Sequence, residues 1–101
     1  MTKAKMYISG AISNNPYYKQ DFLSSERLLT AKYPEHTIIN PVRMLEKLSA
    51  VVTYGELMQI CFRLIDLCDS VYMLKGWEQS KGARAEHEYA KAQGKIIRYE
   101  V

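Results

Sequence analysis

Ser70-Val71-Tyr72-Met73-Leu74-Lys75-Gly76-Trp77-Glu78-Gln79-Ser80-Lys81-Gly82-Ala83-Arg84-Ala85-Glu86-His87-Glu88-Tyr89-Ala90 decides the fold of this chain. It opens as an apolar strand, Ser70 to Leu74, turns at Gly76 and enters a helix with Ser80 as a suitable N-cap. Gly94 is a suitable terminator for that helix, and a second strand-like run, Lys95 to Tyr99, follows it. On a wheel of ~100° per residue, Lys81, Arg84, Glu88, Lys91 and Lys95 make one solvated face. Ala83, Ala85, Tyr89, Ala90 and Ala92 lie on the other side, and Glu86 falls with them, between Ala83 and Ala90. A carboxylate on the inward side of an alanine-rich helix is costly to bury without a partner. It is therefore either a structural group bonded to a buried donor or arginine, or a functional group with a perturbed pKa.

Working back from this stretch, Lys5 to Ser9 reads as a first strand, ending at Ser9-Gly10-Ala11-Ile12. Ser13 to Pro16 is a loop, and Tyr17 to Lys32 an amphipathic helix with Phe22, Leu23, Leu28 and Leu29 on or near its apolar side. Tyr33 to His36 ends it, with His36 read as a surface residue ahead of the second strand, Thr37 to Ile39. Asn40-Pro41 closes that strand. Val42 to Val52 reads as a short helix and a loop. Thr53-Tyr54-Gly55-Glu56 has the pattern of a capping box. The helix it opens carries Leu57, Met58, Ile60, Cys61, Leu64, Ile65 and Leu67 around nearly its whole circumference, so it is either well buried or packed on another subunit. Asp66 reads as solvated and Asp69 as a structural turn residue.

Strands that alternate with helices and are apolar on both faces predict an α/β fold. The expected form is a small doubly wound parallel sheet, Rossmann- or flavodoxin-like, with helices on both faces. The 101 residues suit one domain spanning 1–101. An apolar content of 48% argues against disorder. The net charge of +3 favours an anionic small ligand and excludes a polymeric nucleic acid as the expected partner. No leader-like or membrane-length apolar run is present. Cys61 and Cys68, seven apart along one helix, are too far apart to bridge, so reduced thiols and a cytoplasmic location are expected. No metal or cofactor is expected, since no cluster has zinc spacing. So short a chain covers its sheet poorly, which predicts a homodimer or a higher homo-oligomer.

In a doubly wound sheet, ligands bind at the C-terminal ends of the strands. That edge collects Ser9 and Gly10, Asn40, and the segment Lys75 to Gly82. Glu86, in the second turn of the last helix, reaches the same edge, and the positive helix end favours its ionised form. Ser80, Lys81 and Gly82 either hold a phosphate or carboxylate or simply begin the helix. Trp77 either stacks on a base or sugar or packs over the last helix.

The start Tyr7-Ile8-Ser9-Gly10-Ala11-Ile12, Asn40-Pro41, and Cys68 to Trp77 with Ser80-Lys81-Gly82-Ala83-Arg84-Ala85-Glu86 resemble the DUF4406 family of bacteria and phages. The resemblance covers nearly the whole chain. That family is similar to the nucleoside 2-deoxyribosyltransferases and the 2'-deoxynucleoside 5'-phosphate N-hydrolases. The resemblance implies an N-glycosidic-bond enzyme, by transfer or hydrolysis, on a nucleoside or nucleoside monophosphate. Glu86 matches the nucleophile, Ser80 the serine that binds a 5'-phosphate, and Tyr7 and Gly10 the sugar pocket. Ser9, Asn40, Trp77 and Gly82 complete the expected substrate-binding set, with Tyr7, Asn40 or a group from a neighbouring subunit as candidates for assisting the leaving base. The chain departs from these relatives at Cys61, where they often carry aspartate, and at Ala83, where the transferases have threonine. The alternative is a non-catalytic nucleotide-binding module, or a phage or bacterial accessory protein, of the same fold.

Overall fold

The apolar runs form four short strands: β1 (Ala4–Ser9), β2 (His36–Ile39), β3 (Ser70–Met73) and β4 (Ile96–Tyr99). In this computed structural model, which describes residues 3–101, all four pair in parallel in the order β2-β1-β3-β4. The chain moves outward from β1 to β2, then crosses back to β3 on the other side. The strand order therefore switches at β1, and a crevice opens above its C-terminal end. The α/β, doubly wound expectation holds.

Four helices connect the strands: α1 (Tyr18–Lys32), α2 (Pro41–Met44), α3 (Tyr54–Asp66) and α4 (Lys81–Ala92). α1 packs on β1 and β2, where Phe22 and Leu29 meet Met6 and Ile8. α3 and α4 pack on the opposite face, around Tyr7, Cys61, Ile65, Val71, Met73, Ala83 and Ala90. Local chemistry sets the helix ends. Thr53 and Glu56 form the capping box at the start of α3. Gly94, at a φ of 72°, turns the chain out of α4 into β4. Among the described residues no helix is long and apolar enough to cross a membrane.

Several local expectations are corrected. Of the two readings of α3, the well-buried one does not hold within one chain: only Cys61 and Ile65 are buried, and Leu67 just past its end is 67% exposed. Its apolar residues are more numerous than its contacts because one face alone meets α4 and the sheet. On α1, Leu28 points outward while Phe22 and Leu29 fill the core. Asp66 is half-buried and paired, accepting the Tyr89 hydroxyl at 2.5 Å and facing Arg63 at 2.9 Å. His36 lies within β2 and packs its ring edge on Tyr33. Asp69, by contrast, is the structural residue expected, taking the Lys5 backbone N–H at 2.8 Å and tying β3 to β1.

Candidate active site

The crevice above β1 is a cavity of about 620 Å³. One side is walled by α1 and α2 through Tyr18, Phe22, Val42 and Leu45. The other is walled by α3 and the start of α4, through Leu57, Met58, Cys61 and the segment Gln79 to Arg84. The volume is that of a small-ligand site.

β1 delivers Tyr7 to the floor of this crevice and Ser9 just behind it, both on the side facing α4, because alternate residues of a strand share a face. The strand ends at Ser9, and the next position, Gly10, has no room for a side chain. A Cβ there would lie 2.9 Å from both Cβ and Cδ1 of Leu74, closer than carbon atoms tolerate. α4 starts at Ser80, whose hydroxyl accepts the Ala83 N–H at 3.2 Å. The first intrahelical bond runs from Arg84 N–H to Ser80 carbonyl. The amides of Lys81 and Gly82 precede it, at a helix end where anions are favoured. Tyr54, from α3, sets its hydroxyl where a Gly82 Cβ would stand, 2.9 Å away. Glycine thus lets the two helix starts meet beside the cavity.

Glu86 sits one turn further along α4 with 7% of its surface exposed. Tyr7 donates its hydroxyl to Oε2 at 2.8 Å and Ser9 donates to Oε1 at 2.6 Å. Both carboxylate oxygens are therefore held by neutral donors. Burial raises the Glu86 pKa above the usual glutamate value, and the bonds from Ser9, Tyr7 and the neighbouring Cys61 pull it back. The same burial pushes the Tyr7 phenol well above its ordinary value, reinforced by the charge of Glu86. It also pushes the Cys61 thiol up to about 11, again reinforced by Glu86. Tyr7 and Cys61 thus stay protonated at neutral pH, so Glu86 is the one group of the cluster able to carry charge there. No group of three or more side chains able to hold a metal ion occurs among the described residues.

Of the residues singled out in the sequence, Tyr7, Gly10, Ser80, Gly82 and Glu86 line the cavity. Ser9 stands behind the carboxylate and touches it directly. Two do not reach the cavity. Asn40 is the N-cap of α2, accepting from the Val42 and Arg43 N–H groups at 3.1 and 3.3 Å and donating to Glu26 at 3.0 Å. Trp77 lies on the far side of α4, stacked on the His87 ring at 4.2 Å. Neither side chain therefore faces the candidate ligand. Unforeseen in the sequence were the α1–α2 wall and the exposed Lys19–Glu46 ion pair at its edge, 3.7 Å long. The period of α1 marks Phe22 as inward, but only the topology turns it toward the crevice.

Residues 4–99 match the model of a domain of unknown function, DUF4406. The chain belongs to the DUF4406 family. No curated protein matches it. Among solved structures, a 2-desoxiribosyltransferase from Leishmania mexicana superposes with a TM-score of 0.70 at 19% sequence identity. The match covers 95% of this chain and 63% of that one, so this DUF4406 protein spans under two thirds of that neighbour's length. At this identity the likeness shows a shared fold.

Proposed function

We propose that this DUF4406 protein cleaves the N-glycosidic bond of a nucleoside or nucleoside 5'-monophosphate, with Glu86 as the nucleophile. One observation carries the reading: a single buried carboxylate on the floor of a nucleotide-sized crevice, gripped on both oxygens by Tyr7 and Ser9. Loss of a base from C1' builds positive charge on the sugar, and a carboxylate beneath the ring stabilises it and captures the carbon. Glu86 forms a bond to C1' as the C1'–N bond breaks. The electron pair leaves with the base, which takes up a proton from solvent water. Water or a second base then attacks C1' and frees Glu86 as a carboxylate. Tyr7 and Ser9 hold the carboxylate oriented throughout.

The open amides of Lys81 and Gly82, with Arg84 and the Ser80 hydroxyl beside them, suit a 5'-phosphate. The apolar and aromatic wall of Tyr18, Phe22, Val42 and Leu45 suits a base. The fold shared with a protein named as a deoxyribosyltransferase supports this assignment. A second reading, nucleotide binding without turnover, is favoured by Cys61. A thiol held near 11 supplies no acid to a departing base at neutral pH.

The test is base release from a panel of ribo- and deoxynucleosides and their 5'-monophosphates, with and without a second free base. Release by the wild type and none by Glu86→Ala supports the enzyme. Nucleotide binding without release from any member leaves the binding module.

A further inference from the structure

The two faces of the sheet are unequally covered. Residues paired in register across parallel strands point to the same side, so Met6, Ser70 and Ile96 share the α1 face with Ile8, Tyr72 and Arg98. α1 covers this face over β1 and β2, while α3 and α4 lie on the opposite face. Over β3 and β4 the α1 face has no helix upon it among the described residues. Ile96 there is 58% exposed, although an isoleucine in a parallel sheet is ordinarily covered.

The polar groups of this open half point the same way. Arg98 is half-buried and lies over the Tyr33 ring at 5.2 Å, yet it has no carboxylate partner among the described residues. Its Nε and the Ser70 hydroxyl, both on this face, are buried without a hydrogen-bond partner. Glu100, two residues on and on the same side, is half-buried and likewise has no cationic partner among the described residues. One of its oxygens accepts the Lys75 N–H at 2.8 Å. Half-buried charges are costly when unpaired.

We propose that this open half, formed by Tyr72, Ile96, Arg98 and Glu100 beside Tyr33, is an isologous contact between two copies of the chain. Arg98 and Glu100 stand one strand repeat apart, about 6.6 Å. A two-fold axis between them sets each guanidinium on Glu100 of the partner subunit and each carboxylate on Arg98 of the partner subunit. This self-complementarity is what a closed dimer requires. The ion pairs stand next to the axis, and Ile96 and Tyr72 add apolar contact around them. The mixed signs of the patch argue against a nucleic acid or an anionic membrane as its occupant, since both select cations alone. The contact lies on the flat of the sheet, away from the cavity at the strand ends, and does not depend on the proposed chemistry.

The test is the mass in solution by light scattering, with circular dichroism as a check on folding. The wild type is expected at twice the 11.7 kDa chain mass. Arg98→Glu and Glu100→Arg each bring like charges together and are expected to halve the mass. The double variant Arg98→Glu/Glu100→Arg restores opposite charges and is expected to restore the dimer. Ile96→Lys, at an exposed position that tolerates a charge in the monomer, is expected to halve the mass as well. It keeps the test decisive should a reversal fail to fold. A monomeric wild type overturns the proposal. So does a dimer that survives Ile96→Lys or the folded charge reversals, which would move the contact elsewhere, for example to α3.

Discussion

Replacing Ser9 by alanine removes one of the two hydroxyls that grip Glu86 and leaves the cavity lining untouched. The lost bond is short, 2.6 Å, buried and made to a group that carries charge. Hydrogen bonds to charged groups are worth roughly 1.5–3 kcal/mol, and at 1.36 kcal/mol per tenfold this raises the proton affinity of Glu86 about ten- to a hundredfold. In the proposed reaction the carboxylate must be ionised to attack, so activity is expected to fall as pH drops through its pKa. In Ser9→Ala that fall is expected at distinctly higher pH than in the wild type. The alkaline side of the profile should be unmoved, because Tyr7 still donates to Oε2. Ser9→Thr keeps a hydroxyl and is expected to restore most of the acidic limb. The assay is kcat/KM for base release against pH. A uniformly slower Ser9→Ala with the acidic limb in place would refute the reasoning, because it would make Ser9 a packing residue.

Glu86→Gln tests the same carboxylate through stability. A folded-state pKa raised above the unfolded one gives a contribution that is complete below the unfolded value of 4.5 and lost as pH rises through the folded value. Relative to Glu86→Gln, the wild type should therefore lose stability across that window, read from urea unfolding at a series of pH values. A gap independent of pH would contradict the raised pKa. Gly10→Ala drives a Cβ onto the Cβ of Leu74, which no side-chain rotation can move. The expected cost is about 1–3 kcal/mol in thermal unfolding, together with weakened nucleotide binding as the cavity floor shifts. Asn40→Ala removes the cap of α2 and its bond to Glu26. About 1 kcal/mol of stability should go with it, while KM changes little.

How far the molecule can be read from its sequence depends on how local each cause is. Glu86 is legible because a helix wheel needs only the residues of α4, and Ala83 and Ala90 mark its inward side. Thr53-Glu56 and Gly94 are legible for the same reason. Asn40 lies outside the cavity lining, and its role as a cap is local too: Asn before Pro is an N-cap followed by the first helical position, and that role engages the amide. Trp77 has no local pattern that places it. Its partners His87 and Tyr99 come from α4 and β4, and they draw it to the far side of the helix from the crevice. Cys61 reaches Glu86 only because α3 and α4 pack together, a relation between two helix rotations that neither wheel contains. The open half of the sheet is illegible because it depends on strand order: β4 sits beside β3, while α1 on that face packs on β1 and β2.

The design of the site follows from having one charge in a buried place. A buried carboxylate without donors would take up a proton and lose its nucleophilicity, while a lysine or arginine beside it would hold it in an ion pair and blunt its attack. Two hydroxyls do neither. They lower the cost of ionisation and remain neutral, the Tyr7 phenol because its own pKa is driven up by burial and by Glu86. Cys61 fits this logic. An aspartate at its position would set a second carboxylate against Glu86, and like charges so close raise each other's proton affinity. Cys61→Asp is thus expected to move the acidic limb of the pH profile upward, as Ser9→Ala does but by repulsion instead of a lost bond. Cys61→Asn separates the two causes: it has the shape of the aspartate without its charge, so the limb should return to its wild-type place. A Cys61→Asp variant more active than the wild type near neutral pH would reverse this reading, because it would show that the site lacks an acid and that the thiol marks its loss.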